Sequence, residues 1–116
     1  FPDNVILGTT IETNRDDLYA GPAKAPAPSK RYADFLTVSH PLKMITIEPV
    51  IEFDLPVMVD WIERIKPVMV WLGYDSKHSH LPEPDLSKVR DLHWELSRRG
   101  FVVVLKRIRN AWKRSL

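Results

Sequence analysis

The feature that most constrains this chain is an alternation. Four short apolar runs rich in β-branched residues are separated by stretches with helical spacing. The runs are Asn4 to Glu12 (NVILGTTIE), Met44 to Ile51 (MITIEPVI), Val68 to Tyr74 (VMVWLGY) and Phe101 to Leu105 (FVVVL). Near-continuous apolar runs of this length are the pattern of strands buried on both faces of a parallel sheet. The intervening segments predict helices. Ser29 to Val38 has Ser29 as N-cap and apolar residues at Tyr32, Phe35 and Leu36. Asp54 to Ile65 has Asp54 as N-cap, Pro56 in its first turn, and a stripe of Val57, Trp61, Ile62 and Ile65. Asp85 to Arg99 has Asp85 as N-cap, a stripe of Leu86, Val89, Leu92 and Leu96, and Gly100 as its stop. Asn110 to Leu116 reads as a short basic helix or a frayed tail. The order β-α-β-α-β-α-β-α requires parallel strands joined by right-handed crossovers.

A chain of 116 residues fits a single α/β domain, 1–116, with a basic C-terminal tail at about 106–116. It has no cysteine, which excludes disulfides, thiolate-held zinc and an iron–sulfur cluster on its own side chains. The absence of cysteine also points to the cytoplasm. No apolar run approaches the roughly 20 residues of a membrane helix, so no membrane span is expected. Four glycines and no GxGxxG or GxxxxGKS pattern argue against a glycine-rich phosphate loop. A start at Phe1-Pro2 is the start expected of a fragment or a processed product.

Charge is unevenly spread. Net charge is only +2, yet seven of the 17 basic residues lie between Arg98 and Arg114, whereas residues 44–63 carry only acidic charge. A basic tail can bind phosphates. The other reading of the tail is a solvated terminal helix, since most surface charge has no specific partner.

Two long connections follow strands and so lie at the C-terminal edge of the sheet, where parallel α/β proteins keep their sites. One is Thr13 to Pro28, rich in Ala and Pro. The other is Ser76 to Pro84, which carries His78 and His80. The tripeptide Thr-Ile-Glu occurs near the ends of the first two runs, as Thr10-Ile11-Glu12 and Thr46-Ile47-Glu48. Alternate strand residues share a face, so two carboxylates can stand on adjacent strands near one mouth. Such a pair serves acid–base work, ribose hydroxyls or a cation; a sheet-end charge facing water is the alternative. Lys106 ends the fourth run, and if it looks inward it needs a carboxylate, Glu48 or Glu12. His78-Ser79-His80, with Asp75 and Glu83 nearby, is a weak metal candidate that lacks a clear third ligand. Trp61, Trp94 and Trp112 lie on helical segments, where packing is the expected role.

Gly8-Thr9-Thr10-Ile11-Glu12, Arg31, Thr46-Ile47-Glu48-Pro49 and Leu105-Lys106, taken in this order, resemble the C-terminal half of a radical S-adenosylmethionine barrel. The similarity is to a phage-associated and archaeal family of unknown function, distantly similar to spore photoproduct lyase. Leu72-Gly73-Tyr74-Asp75 departs from that family's Gly-Gly-Glu. The resemblance covers nearly the whole chain and implies half of a (β/α)8 barrel, with four parallel strands alternating with helices. It implies ribose contacts from Thr10 and Glu12, with Glu48 and Lys106 as catalytic candidates lining the same cavity. For the complete family protein it implies S-adenosylmethionine and a 4Fe-4S cluster; the cluster's CxxxCxxC segment belongs to the other half-barrel. The expected partner is that missing N-terminal half, or a second copy joined through the open sheet edges. The alternative function is a stand-alone half-barrel, a binding or interaction module that takes nucleic acid through its basic C-terminus.

Overall fold

The computed structural model describes residues 2–19 and 25–112. Four parallel strands form one sheet in the order β1-β2-β3-β4: β1 (Leu7–Thr10), β2 (Lys43–Ile47), β3 (Met69–Gly73) and β4 (Val103–Lys106). Three α-helices fill the connections: α1 (Pro28–Thr37), α2 (Leu55–Ile65) and α3 (Leu86–Arg98). A short 3-10 turn, Asp16–Leu18, lies in the long loop after β1. Consecutive parallel strands joined by crossovers of one hand place every helix on the same side of the sheet. The fold is therefore an α/β half-barrel, one curved layer of strands under one layer of helices. Among the described residues no helix is long and apolar enough to cross a membrane.

The core lies between those layers. Ile45, Ile47, Val70, Leu72 and Tyr74 on the sheet meet Phe35, Met58, Ile62, Val89, Leu92 and Leu96 from the helices. Strand pairing puts Leu7, Lys43, Val70 and Val103 on the helix side, and Gly8, Met44, Met69, Trp71 and Val104 on the opposite, inner side. Among the described residues no layer covers that inner side: Met44, Met69, Trp71 and Val104 are half-buried and Val102 is 57% exposed. The expectation of strands buried on both faces is corrected here. A half-barrel curls its second apolar face around a space that these strands cannot fill by themselves.

The strands are shorter than their apolar runs. β2 stops at Ile47 because Pro49 has no N–H for the ladder. Pairing resumes when Val50 donates to the Gly73 carbonyl at 2.8 Å. The Glu48-Pro49 peptide is cis. β1 begins at Leu7, opposite the start of β2 at Lys43.

Asp54 and Asp85 occupy the N-cap positions, as expected, but neither side chain caps its helix. For α1 the N-cap is Ala27, with Pro28 in the first turn, so Ser29 lies inside the helix and its hydroxyl bonds Asp16 instead. In α2 the buried stripe is Met58, Val59, Ile62 and Ile65, rotated from the predicted one, and Val57 is exposed. α3 ends as predicted. Gly100, at φ 92°, donates to the Ser97 carbonyl and Phe101 donates to that of Leu96, a Schellman closure that needs a residue at ease in the left-handed region. Asn110 to Trp112 are not helical, and the remainder of the expected terminal helix, 113–116, lies outside the described residues.

Candidate functional site

The C-terminal edge of the sheet gathers the ends of all four strands and the loops after β1, β2 and β3. On the β1 side Glu12 is buried, and the α1 residue Arg31 reaches over the edge to it, Nη2 to Oε1 at 2.8 Å. The other arm of the same guanidinium donates to the Thr10 carbonyl. Tyr19 stacks on this guanidinium, 4.9 Å from its centre. The cation that Glu12 holds is thus a side chain of this protein.

The loops after β1 and β2 are tied to each other. The Thr13 hydroxyl donates to the Glu52 carbonyl at 2.6 Å, and Asn14 and Arg15 both bind the Asp54 carboxylate. Glu52 in turn pairs with Lys88 of α3 at 2.6 Å. This lattice fixes the approach to α2 and leaves the inner side of the edge open.

At the β2–β4 end a cleft of about 680 Å³ opens, walled by Glu48, Asp75, Lys77, Ser79, Lys106 and Arg107. The Glu48 carboxylate and the Lys106 backbone both crowd the end of β3, which is a glycine. A Cβ on Gly73 would lie 2.1 Å from the Lys106 carbonyl and 2.9 Å from Glu48 Oε2, so only glycine admits both neighbours. Asp75 accepts the amides of Lys77 at 3.0 Å and Ser79 at 2.7 Å and thereby folds the loop into a wall. Burial raises the Asp75 pKa, but the Ser79 and Lys77 hydrogen bonds outweigh it, and the carboxyl sits below its ordinary value.

Behind that wall the C-terminal segment acts as a clasp. Arg109 grips Glu83 in a two-pronged pair, 2.9 and 2.8 Å, and donates to the Asp75 carbonyl at 3.0 Å. Its guanidinium lies between the rings of Tyr74 and Trp112, 4.7 and 3.2 Å from their centres. The Glu83 side chain is only 2% exposed and also accepts the Trp112 amide. Tyr74 is buried with its hydroxyl on the Pro84 carbonyl, and burial pushes its pKa up to about 12. His78 stacks on Trp112 at 4.2 Å, and the His78 and His80 rings are 4.9 Å apart. Among the described residues no three His, Asp or Glu side chains converge to hold a metal ion.

The structure thus brings Glu48 and Lys106 into one cleft. Thr10 and Glu12 stand at the same edge but do not wall that cleft. The expected carboxylate partner for Lys106 is replaced by an aromatic ring: its ammonium lies 4.3 Å from the centre of Trp71. On an uncovered face the ammonium stays wet and needs no counter-ion. Asp75, Lys77 and Arg107 were missed as cleft residues by sequence reasoning. The signal available was Asp75-Ser-Lys immediately after a strand, the edge where sites gather. The expected packing role holds for Trp61, which stacks on Tyr32 at 4.3 Å, but not for Trp94, which is 65% exposed. Trp112 packs, outside any helix, within the clasp.

The basic tail is also resolved into parts. Arg98 and Arg99 pair with Glu95 and Glu63, and Arg109 with Glu83. Lys113 and Arg114 lie outside the described residues. Lys106 and Arg107 face the cleft.

No family model matches the chain, and neither a curated protein nor a solved structure does so.

Proposed function

We propose that this chain is the cavity-wall half of a radical S-adenosylmethionine-type barrel of the cytoplasm, and that its C-terminal-edge cleft receives part of S-adenosylmethionine or its substrate. The observation that carries this reading is that Glu48 and Lys106 line one cleft at the strand ends of a half-barrel whose inner face is open among the described residues. The chain has no cysteine and so does not fit a 4Fe-4S cluster; any cluster chemistry belongs to another segment. S-adenosylmethionine fits the donor set better. The Glu48 carboxylate can accept ribose hydroxyls, and the basic side chains of the cleft suit the carboxylate of the methionine moiety. Thr10 is the last β1 residue on the inner face, so a ligand spanning β1 to β4 passes over it. Glu12 acts through Arg31, which holds the β1 edge in place. The partner is a complementary half-barrel.

The test is titration of the full chain with S-adenosylmethionine, followed by amide chemical shifts. With half the cavity present, a dissociation constant no tighter than about millimolar is expected, worth only ~4 kcal/mol. Shifts should centre on Glu48, Gly73 and Lys106, and Glu48→Gln should weaken them. A titration that leaves those amides unmoved sinks the reading.

A further inference from the structure

Among the described residues, eight basic side chains are already committed. Arg15, Lys30, Arg31, Arg64, Lys88, Arg98, Arg99 and Arg109 each pair with a carboxylate within 4 Å. Six others make no such pair among the described residues: Lys43, Lys66 and Arg90 lie elsewhere, and Lys77, Lys106 and Arg107 wall one cleft. Against them stand two carboxylates, Glu48 and Asp75, so the lining carries a net single positive charge. The two acids do not neutralise the three cations directly. Asp75 is engaged by the Lys77 and Ser79 amides, and Lys106 rests on Trp71. The backbone contributes as well. Arg107 sits at φ 48°, a left-handed conformation unfavourable for a non-glycine residue, and it lines the cleft instead of continuing β4. At about 680 Å³ the cleft lies within the range of small-molecule sites.

We propose that this cleft is an anion site for a phosphate-bearing small molecule, with Lys77, Lys106 and Arg107 on the phosphate oxygens and Glu48 accepting from a hydroxyl or amine of the same molecule. Three cations on one cleft suit a multiply charged group with several outer oxygens better than a lone carboxylate. The inference rests on the charge and geometry of the cleft and goes beyond the S-adenosylmethionine reading, because that ligand carries no phosphate.

The probe is inorganic pyrophosphate, titrated into the full chain at low ionic strength and followed by amide chemical shifts. Shifts should appear at residues 77–79 and 106–107 and shrink at high salt, since these charges are open to solvent. Lys77→Glu changes an exposed loop residue and should weaken binding tenfold or more, as should Lys106→Ala. Pyrophosphate binding unaltered by both substitutions, or shifts confined to other surfaces, overturns the proposal. A parallel S-adenosylmethionine titration separates the two readings. Pyrophosphate binding without S-adenosylmethionine binding leaves the anion site standing and removes the earlier reading; the reverse result removes the anion site alone.

Discussion

At the scale of single residues, the two strand glycines show how unequal one residue type can be. Gly73 sits where a Cβ would meet the backbone carbonyl of Lys106 at 2.1 Å, and backbone in a paired strand has no room to retreat. Gly8 faces Met44, with the nearest side-chain carbon 3.0 Å from the same hypothetical Cβ, and a methionine side chain can swing aside. Gly73→Ala should therefore cost about 3 kcal/mol, the upper end of ordinary overpacking, and disturb the β3–β4 ladder. Gly8→Ala should cost less than about 1 kcal/mol. Urea unfolding of both variants checks this; equal costs would refute the account of why β3 ends in glycine beside the Lys106 backbone. Lys43 makes the same point about position. Buried at the start of β2, it donates to the Phe35 carbonyl in the last turn of α1 at 2.9 Å, and burial lowers its pKa. A cation at a helix C-terminus is well placed there.

Between elements, the ties are electrostatic and long in sequence. Asp54, ahead of α2, binds Arg15 and Asn14 in the loop after β1. The Arg15 hydrogen bond, followed by that of Asn14, holds the Asp54 carboxyl well below the usual carboxylate range. A group whose pKa falls on folding contributes stability that is present above its unfolded value, about 4, and is lost as pH drops through the folded value. Thermal midpoints should fall from neutral pH toward acid, and Asp54→Asn should flatten part of that fall while lowering the neutral midpoint. An acid limb of unchanged slope would mean the pair does not link the loops. The Arg109 clasp works on the same principle at the opposite end of the edge. It ties the terminal segment to Glu83 and Asp75, so the wall of the cleft depends on residues far from it in sequence.

For the molecule as a whole, the dominant fact is an unfinished surface. β1 and β4 are edge strands, and exposed apolar side chains, Ile6, Val102 and Leu105, collect beside them. Unpaired edges of apolar strands invite further pairing. A two-fold axis along the barrel sets β4 of one copy beside β1 of the next and makes eight parallel strands. Light scattering at micromolar concentration should report twice the mass of the chain, and Val102→Lys should return it to a monomer while the fold stays intact. A wild-type chain that scatters as a monomer counts against self-association.

Much of this architecture was legible in the residues. Alternating short apolar runs and amphipathic stretches are enough to dictate parallel strands alternating with helices, and Asp54, Asp85 and Gly100 stand at helix ends as their residue types suggest. The placing of Glu48 and Lys106 at one edge followed from strand alternation. Which charges remain available there did not. Arg31 reaches Glu12 across 19 positions and Arg109 reaches Glu83 across 26, so each pairing depends on how sheet, loop and helix meet at that edge. The uncovered inner face was equally hidden, because an apolar strand looks the same in sequence whether its second face is filled or open. Local spacing determined the elements and their order; the tertiary structure decided which carboxylates are taken by arginines and which cations are left facing a cleft, since ion pairing follows distance in space and not along the chain.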